Sequence, residues 1–238
     1  MDYTIVILGV IVVILIYILY RYFSTTSTTL TTKADLKTVH PAIPITNATS
    51  VRYAYGVWVY VNSFTGGNYK PIFQLPTSAS TISAASTTVM TENNIQLYLD
   101  KTNPILYCNI LTTTTTPQIQ ITPNFPLQTW VYVVISVDNN YADFYLNGKL
   151  IKSIQLAGPQ TQITATTPQI FIGDTGVGVK PDIQIAGFYR WSKPLNPQEV
   201  WSNYLAGNGN PMSSMISSFG MNVALVKDNV EQSKFALI

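Results

Sequence analysis

The stretch that most limits what this chain can become is Thr129 to Ser153, TWVYVVISVDNNYADFYLNGKLIKS. Trp130, Tyr132, Val134 and Ser136 alternate with Val131, Val133, Ile135 and Val137, and β-branched residues dominate. Such a run reads as a strand buried on both faces. Asp138-Asn139-Asn140 follows with short polar side chains that tolerate left-handed backbone, so the strand turns there. Tyr141 to Leu146 returns, with Ala142, Phe144 and Leu146 on one face and Tyr141, Asp143 and Tyr145 on the other. Asn147-Gly148 is the strongest short hairpin signal, because a type I′ turn needs positive φ at both central residues. The stretch predicts a three-stranded antiparallel meander.

Strand signals extend on both sides. Arg52 to Val61, Pro71 to Leu75, Ile95 to Leu99, Ile105 to Leu111 and Ile119 to Ile121 precede the meander. Gln169 to Gly173 and Asp182 to Trp191 follow it. Pro76 to Thr91 reads as a Ser/Thr-rich loop, and Gly173 to Gly178 as a Gly-rich turn with no helix behind it to hold a phosphate. Asn196, with Pro197 next and Glu199 three residues on, marks the start of a short helix that Gly207 ends. Residues 208–238 form an extension, in which Met221 to Val226 and Val230 to Ile238 are expected to pair as a further hairpin with this sandwich or a neighbour's.

The front of the chain differs. Tyr3 to Tyr20 carries no charge and is mostly Ile, Val, Leu and Tyr. Twenty helical residues from Tyr3 to Tyr22 span about 30 Å, the thickness of a bilayer's hydrocarbon core. A cleaved leader fits poorly, because there is no basic start and no small-residue cleavage site. The expectation is a membrane anchor over residues 1–23, with Tyr3, Ile11, Leu19 and Tyr22 marking its length. Arg21, Lys33 and Lys37 follow the span, which predicts a single-pass membrane protein with its C-terminal domain on the cytosolic side. Residues 24–50, rich in Ser, Thr and Pro, read as a linker, either a plain spacer or a glycosylated stalk. They hold the sole sequon, Asn47-Ala48-Thr49, and the only histidine, His40.

Four motifs in order resemble one family. These are Tyr53 to Val61 with Trp58, the Trp130 strand with the hairpin ending Tyr145-Leu146-Asn147-Gly148-Lys149-Leu150, Ile170-Phe171-Ile172-Gly173, and Ile185 to Gly207. Together they resemble the laminin-G-like, concanavalin A-like jelly roll. The resemblance implies an all-β fold, a two-sheet antiparallel jelly-roll sandwich over residues 51–207, preceded by one N-terminal transmembrane helix. Trp58, Trp130, Phe144, Gly148 and Trp191 are its expected structural core. Members of this family often bind sugar or Ca²⁺ through acids in rim loops. On that implication Asp174, Asp182 and Asp100 are the candidate calcium ligands, with turn chemistry the competing reading. Ala186 stands where laminin-G-like members often carry an acid, and Arg190 replaces an apolar residue; both departures weaken the implied metal site.

Function classes narrow further. Net charge is +2 with scattered lysines, which leaves no basic patch for nucleic acid. One histidine and one cysteine, Cys108 in a strand, cannot build a nucleophilic triad or a zinc site. No two acids stand two residues apart, so the paired carboxylates of jelly-roll glycosidases are missing. No enzyme and no obligate cofactor is expected. The anchored architecture resembles the membrane-anchored laminin-G-like proteins of large double-stranded DNA viruses. That implies a non-catalytic minor capsid or virion membrane protein between an internal membrane and the capsid shell. Its partners would be the lipid bilayer and other virion proteins. The alternative is a membrane-tethered, lectin-like glycan-binding module. The four tryptophans read as packing residues: Trp58 and Trp130 in core strands, Trp191 and Trp201 against the terminal helix.

Overall fold

The computed structural model describes residues 9, 11–17, 27–78, 93–115, 117–174 and 180–208, together with the backbone of 222–227 and 230–236. Among them, twelve strands make two antiparallel six-stranded sheets. In chain order they are β1 (Ser27–Asp35), β2 (Ile43–Pro44), β3 (Arg52–Val61), β4 (Lys70–Pro76), β5 (Asn93–Leu99) and β6 (Leu106–Ile110). β7 (Gln118–Thr122), β8 (Trp130–Asp138), β9 (Tyr141–Leu146), β10 (Lys149–Gln155), β11 (Gln169–Ile172) and β12 (Ile183–Trp191) complete the set. The first sheet runs β1-β12-β3-β8-β9-β10, and the second β2-β11-β4-β5-β6-β7. This is the expected sandwich.

The meander forms as the sequence predicts. Asn139 turns the chain at φ 54°, and Asn147 (φ 49°) and Gly148 (φ 79°) make the second turn. Asn147 Oδ1 also accepts from the Tyr132 backbone N–H at 2.9 Å, which ties that turn to β8. The alternation of β8 then divides its side chains between two clusters. Val131, Val133, Ile135 and Val137 enter the core between the sheets, with Tyr55, Phe73, Leu97, Phe144 and Phe188. Tyr132 and Val134 face outward into a second cluster with Trp58, Tyr145, Trp191, Leu195 and Val200.

A short helix, Pro197–Leu205, covers that outer cluster. Its start is a full capping box, with Asn196 and Glu199 exchanging hydrogen bonds at 2.8 and 2.9 Å. Ser136 Oγ fixes the approach, accepting from Leu195 N at 2.9 Å and donating to Leu195 O at 3.1 Å. Gly207, at φ 80°, follows the last turn.

The expected linker at residues 24–50 is corrected. Ser27–Asp35 is β1, an edge strand on β12, and Ile43–Pro44 is β2, an edge strand on β11. One segment thus closes an edge of each sheet. A Thr-rich run has little apolar surface of its own, but β-branched threonines favour extended backbone. Pairing with β12 supplies the hydrogen bonds, while Leu30, Ala34 and Leu36 reach the core. Residues 24–26 lie outside the described set, as do residues 79–92 of the expected loop and 175–179 of the Gly-rich turn.

At the front, residues 11–17 are helical, and Ile11 to Tyr17 are all exposed, Ile11 at 48% and Val13 at 66%. Tyr3, Leu19 and Tyr22 lie outside the described residues, among which no helix is long and apolar enough to cross a membrane. At the other end, Asn222–Lys227 (β13) and Val230–Ala236 (β14) pair as an antiparallel hairpin, a separate two-stranded sheet.

Phe144 is fully buried, whereas Trp130 is half-buried and packs on Tyr60 at 5.4 Å between ring centres. Urea unfolding should therefore show Phe144→Ala losing about 3–5 kcal/mol. Trp130→Ala should lose less than half of that, and equal losses would contradict this placement.

Candidate functional site

The outward face of the first sheet holds an aromatic-walled cavity of about 180 Å³. The placing of its walls depends on a glycine. Gly56 lies on β3 between two outward residues, Ala54 and Trp58, and a Cβ there would sit 2.6 Å from Tyr132 Oη and 2.9 Å from the Trp191 ring. Without that Cβ, rings from neighbouring strands close over the backbone. Trp58 and Tyr132 are register partners on β3 and β8 and stack at 5.1 Å. Tyr189 and Trp191, two apart on β12, lie 5.9 Å from each other. Ser27, the first residue of β1, completes the strand side.

The fourth wall is the end of the helix: Asn203, Ala206 and Gly207. Tyr204 stacks on Trp58 at 5.5 Å and so holds the helix against the sheet. The lining combines four aromatic rings with hydroxyl and amide groups, a mixture found in sites that take small organic ligands. Burial pushes the Tyr132 hydroxyl well above a phenol's ordinary pKa, and Tyr189 adds to the shift, so Tyr132 remains a hydrogen-bond donor. The Trp58 indole Nε1 is buried without a hydrogen-bond partner. A ligand with many hydroxyls and an apolar face, such as a pyranose ring, matches this pattern of stacking surfaces and sparse donors.

The aspartates singled out as calcium ligands are each engaged locally. Asp182 takes Lys37 Nζ at 2.7 Å, Asn62 Nδ2 at 2.8 Å and Ser63 Oγ at 3.0 Å. Asp174 is buried in a second, smaller recess of about 40 Å³, lined also by Tyr69 and Lys70, where Lys180 Nζ donates to its carbonyl at 2.6 Å. Partial burial raises the Asp100 carboxyl, but the amide and hydroxyl of Thr102, with the amides of Lys101 and Asn103, together outweigh it and hold the pKa below the ordinary value. These are the roles of turn and ion-pair carboxylates. Among the described residues no three His, Cys, Asp or Glu side chains gather as a metal ion would require.

Other singled-out residues have structural places. Cys108 is fully buried in the core, and burial pushes its thiol far above the ordinary range. His40 sits in the turn after β1, its Nε2 2.8 Å from the Asp35 carbonyl. Phe144 is in the core between the sheets, and Trp201 covers the Gly148 turn, where a Cβ would strike its ring. Trp58 and Trp191, read from sequence as packing residues, both pack and wall the cavity. Arg190, the departure from the family pattern, is buried and donates to Tyr55 Oη and the carbonyls of Thr46 and Asn47, pinning the connector before β3.

Sequence reasoning missed the cavity because its walls come from four strands and a helix. The available signal was register: Gly56, Trp58, Tyr132, Tyr189 and Trp191 share one face of adjacent strands.

A two-sheet antiparallel jelly roll with a short helix across one outer face is a concanavalin A-like sandwich. Residues 33–201 match the laminin-G family described as the concanavalin A-like lectin/glucanases superfamily, and the chain belongs to that family. No curated protein sequence matches it. Solved structures agree on the fold. The binding domain of botulinum neurotoxin serotype G superposes with a TM-score of 0.53 at 14% identity, covering 76% of this chain and 46% of that one. The binding domain of botulinum neurotoxin DC, solved in complex with SialylT, gives 0.52 at 14% identity, covering 69% and 38%. A sialidase of Trypanosoma rangeli gives 0.51 at 15% identity, covering 76% and 28%. This chain therefore spans less than half the length of each.

The Asp182 contacts generate a pH prediction. Its carboxyl is held below the ordinary value, first by the hydrogen bond from Lys37, then by Asn62 and Ser63. A depressed folded-state pKa stabilises the fold above the unfolded value of about 4 and is lost as pH falls through the depressed one. Thermal melts of Asp182→Asn should fall below those of the parent at neutral pH and converge with them in strong acid; a constant gap would refute the ion pair's role.

Proposed function

We propose that this chain is a membrane-tethered, non-catalytic glycan-binding module, and that the cavity between the sheet face and the helix end takes the sugar. The observation that carries this reading is the convergence of Trp58, Tyr132, Tyr189 and Trp191 around an open recess in a lectin-superfamily sandwich. Stacking of rings on a sugar's apolar face supplies affinity, while Tyr132, Tyr189, Ser27 and Asn203 supply polar groups for its hydroxyls. That one neighbour of the same fold was solved with SialylT supports sugar as the ligand class. The capsid-linking role implied by the viral resemblance has no such support from the neighbours, and the glycan reading takes precedence.

The tether is residues 3–22. Its described part is helical and exposes every apolar side chain from Ile11 to Tyr17, an arrangement suited to lipid. Arg21, Lys33 and Lys37 place the sandwich on the cytosolic side by the positive-inside rule. Asn47 is exposed in the sequon Asn47-Ala48-Thr49, so it reports on orientation. The protein made in cells with a glycosylation pathway should run at the same mass before and after glycosidase treatment; a shift would place the sandwich in the lumen.

A glycan array read with and without chelator tests the function. Saturable binding that survives chelation is the expected result, since the cavity offers rings, hydroxyls and an amide rather than carboxylates. Tyr189→Ala should weaken binding about tenfold or more in protein that is still folded at the assay temperature, as loss of a stacking wall costs about 1.4 kcal/mol or more. Binding abolished by chelator, or unaffected by Tyr189→Ala, would refute the cavity as the site.

A further inference from the structure

The helix Pro197–Leu205 has an inverted surface. On an ordinary covering helix the outward face is charged. Here Glu199 is the only charged residue, and Trp201 and Leu205, one turn apart, are 43% and 60% exposed. β10 adds Leu150 at 51% and Ile151 at 48%, because the ladder bulges between Leu150 and Lys152 and turns Ile151 out of it. Leu150 pairs with Tyr145, which places it on the outward face beside the helix. These side chains share the outward side of the sandwich, whereas Lys149 and Lys152 pair with the inward-facing Leu146 and Phe144, and Lys152 Nζ donates to the Gln120 carbonyl of the other sheet at 3.0 Å. Contiguous exposed apolar surface on a soluble domain marks a contact face.

The position of the tether says what covers it. Only Phe23 to Thr26 separate Tyr22 from β1, a link of no more than about 20 Å even when fully extended. Ser27, where the sandwich begins, lines the same cavity as Asn203, Ala206 and Gly207 at the end of the helix. The described chain therefore begins beside the face that carries Trp201 and Leu205, and so short a link gives little slack to hold that face far from the membrane. Exposed Trp beside Leu and Ile is a composition that settles at the headgroup boundary.

We infer that the Trp201–Leu205 face of the helix, with Leu150 and Ile151, rests on the lipid bilayer as a second attachment that fixes the orientation of the sandwich. This inference rests on the membrane tether proposed above, and the cavity opens on the same outward face. The occupant is a phospholipid surface, met by Trp201 at the level of the headgroups.

The full chain in vesicles of phosphatidylcholine with a minority of phosphatidylserine tests it. Ile151→Cys and, on the opposite side of the sandwich, the exposed Gln118→Cys are each labelled with an environment-sensitive dye; Cys108 is buried and stays unlabelled. The dye at position 151 should shift its emission to the blue and be quenched by nitroxide lipids, while the dye at 118 stays at the aqueous level. Leu205→Glu, at a position the fold leaves exposed, should abolish the quenching at 151 while the protein still floats with the vesicles. Equal, aqueous emission at 151 and 118 in floating protein overturns the inference while leaving the tether standing. Self-association of the detergent-solubilised chain that Leu205→Glu abolishes, with no quenching in vesicles, assigns the face to a second copy and also overturns it. Protein that fails to float overturns the tether and this inference together.

Discussion

The arrangement depends on one strand needing cover on both sides. β8 places Val131, Val133, Ile135 and Val137 inward and Tyr132 and Val134 outward. The second sheet satisfies the first set, and nothing in a two-layer sandwich satisfies the second. The helix Pro197–Leu205 is the answer to that need, and its capping box and the Ser136–Leu195 hydrogen bonds hold it in place. It is too short to roof the whole face. Where it stops at Gly207, uncovered rings remain, and the absent Cβ of Gly56 lets them meet. The candidate site is thus a by-product of incomplete burial, which is why aromatic packing residues and ligand-facing residues are the same side chains.

How much was legible follows from where periodicity was clean. The meander from Trp130 to Gln155 could be read because alternation and Asn-Gly are local signals. Arg52–Val61 and the capped helix followed for the same reason. β1 could not be read that way. Its threonines look like low-complexity spacer, and only Leu30 and Ala34 are buried within the strand, four residues apart, with the ladder bulging at Leu30. The aspartates were legible as turn residues or as metal ligands, and one sequence cannot choose between them; Lys37, Asn62 and Ser63 around Asp182 give it a structural role. The cavity was illegible because strand order is non-local: β12 lies between β1 and β3, which no local pattern announces.

Low charge has a structural counterpart in how the polar groups are used. Arg190 is buried on three neutral acceptors, Tyr55 Oη and two carbonyls, a placement that trades ion pairing for fixing the β2–β3 connector. Gln160 works similarly, accepting from Tyr53 Oη at 2.8 Å while its amide donates to the carbonyls of Val51 and Asn139. Neutral donors and acceptors thus clamp the end of the sandwich where β3 begins and β8 turns into β9, leaving the surface sparsely charged.

The bonding of β1 also decides how the domain answers mechanical load. Tension applied through residues before Ser27 enters an edge strand that, among the described residues, is laddered to β12 alone. Pulled along its length, that ladder resists in shear, with its bonds loaded together. Pulled sideways, it unzips one bond at a time, starting with the short register ahead of the bulge at Thr29–Thr31. The direction of the tug, rather than its size alone, then determines whether the sandwich stays shut or surrenders its first strand.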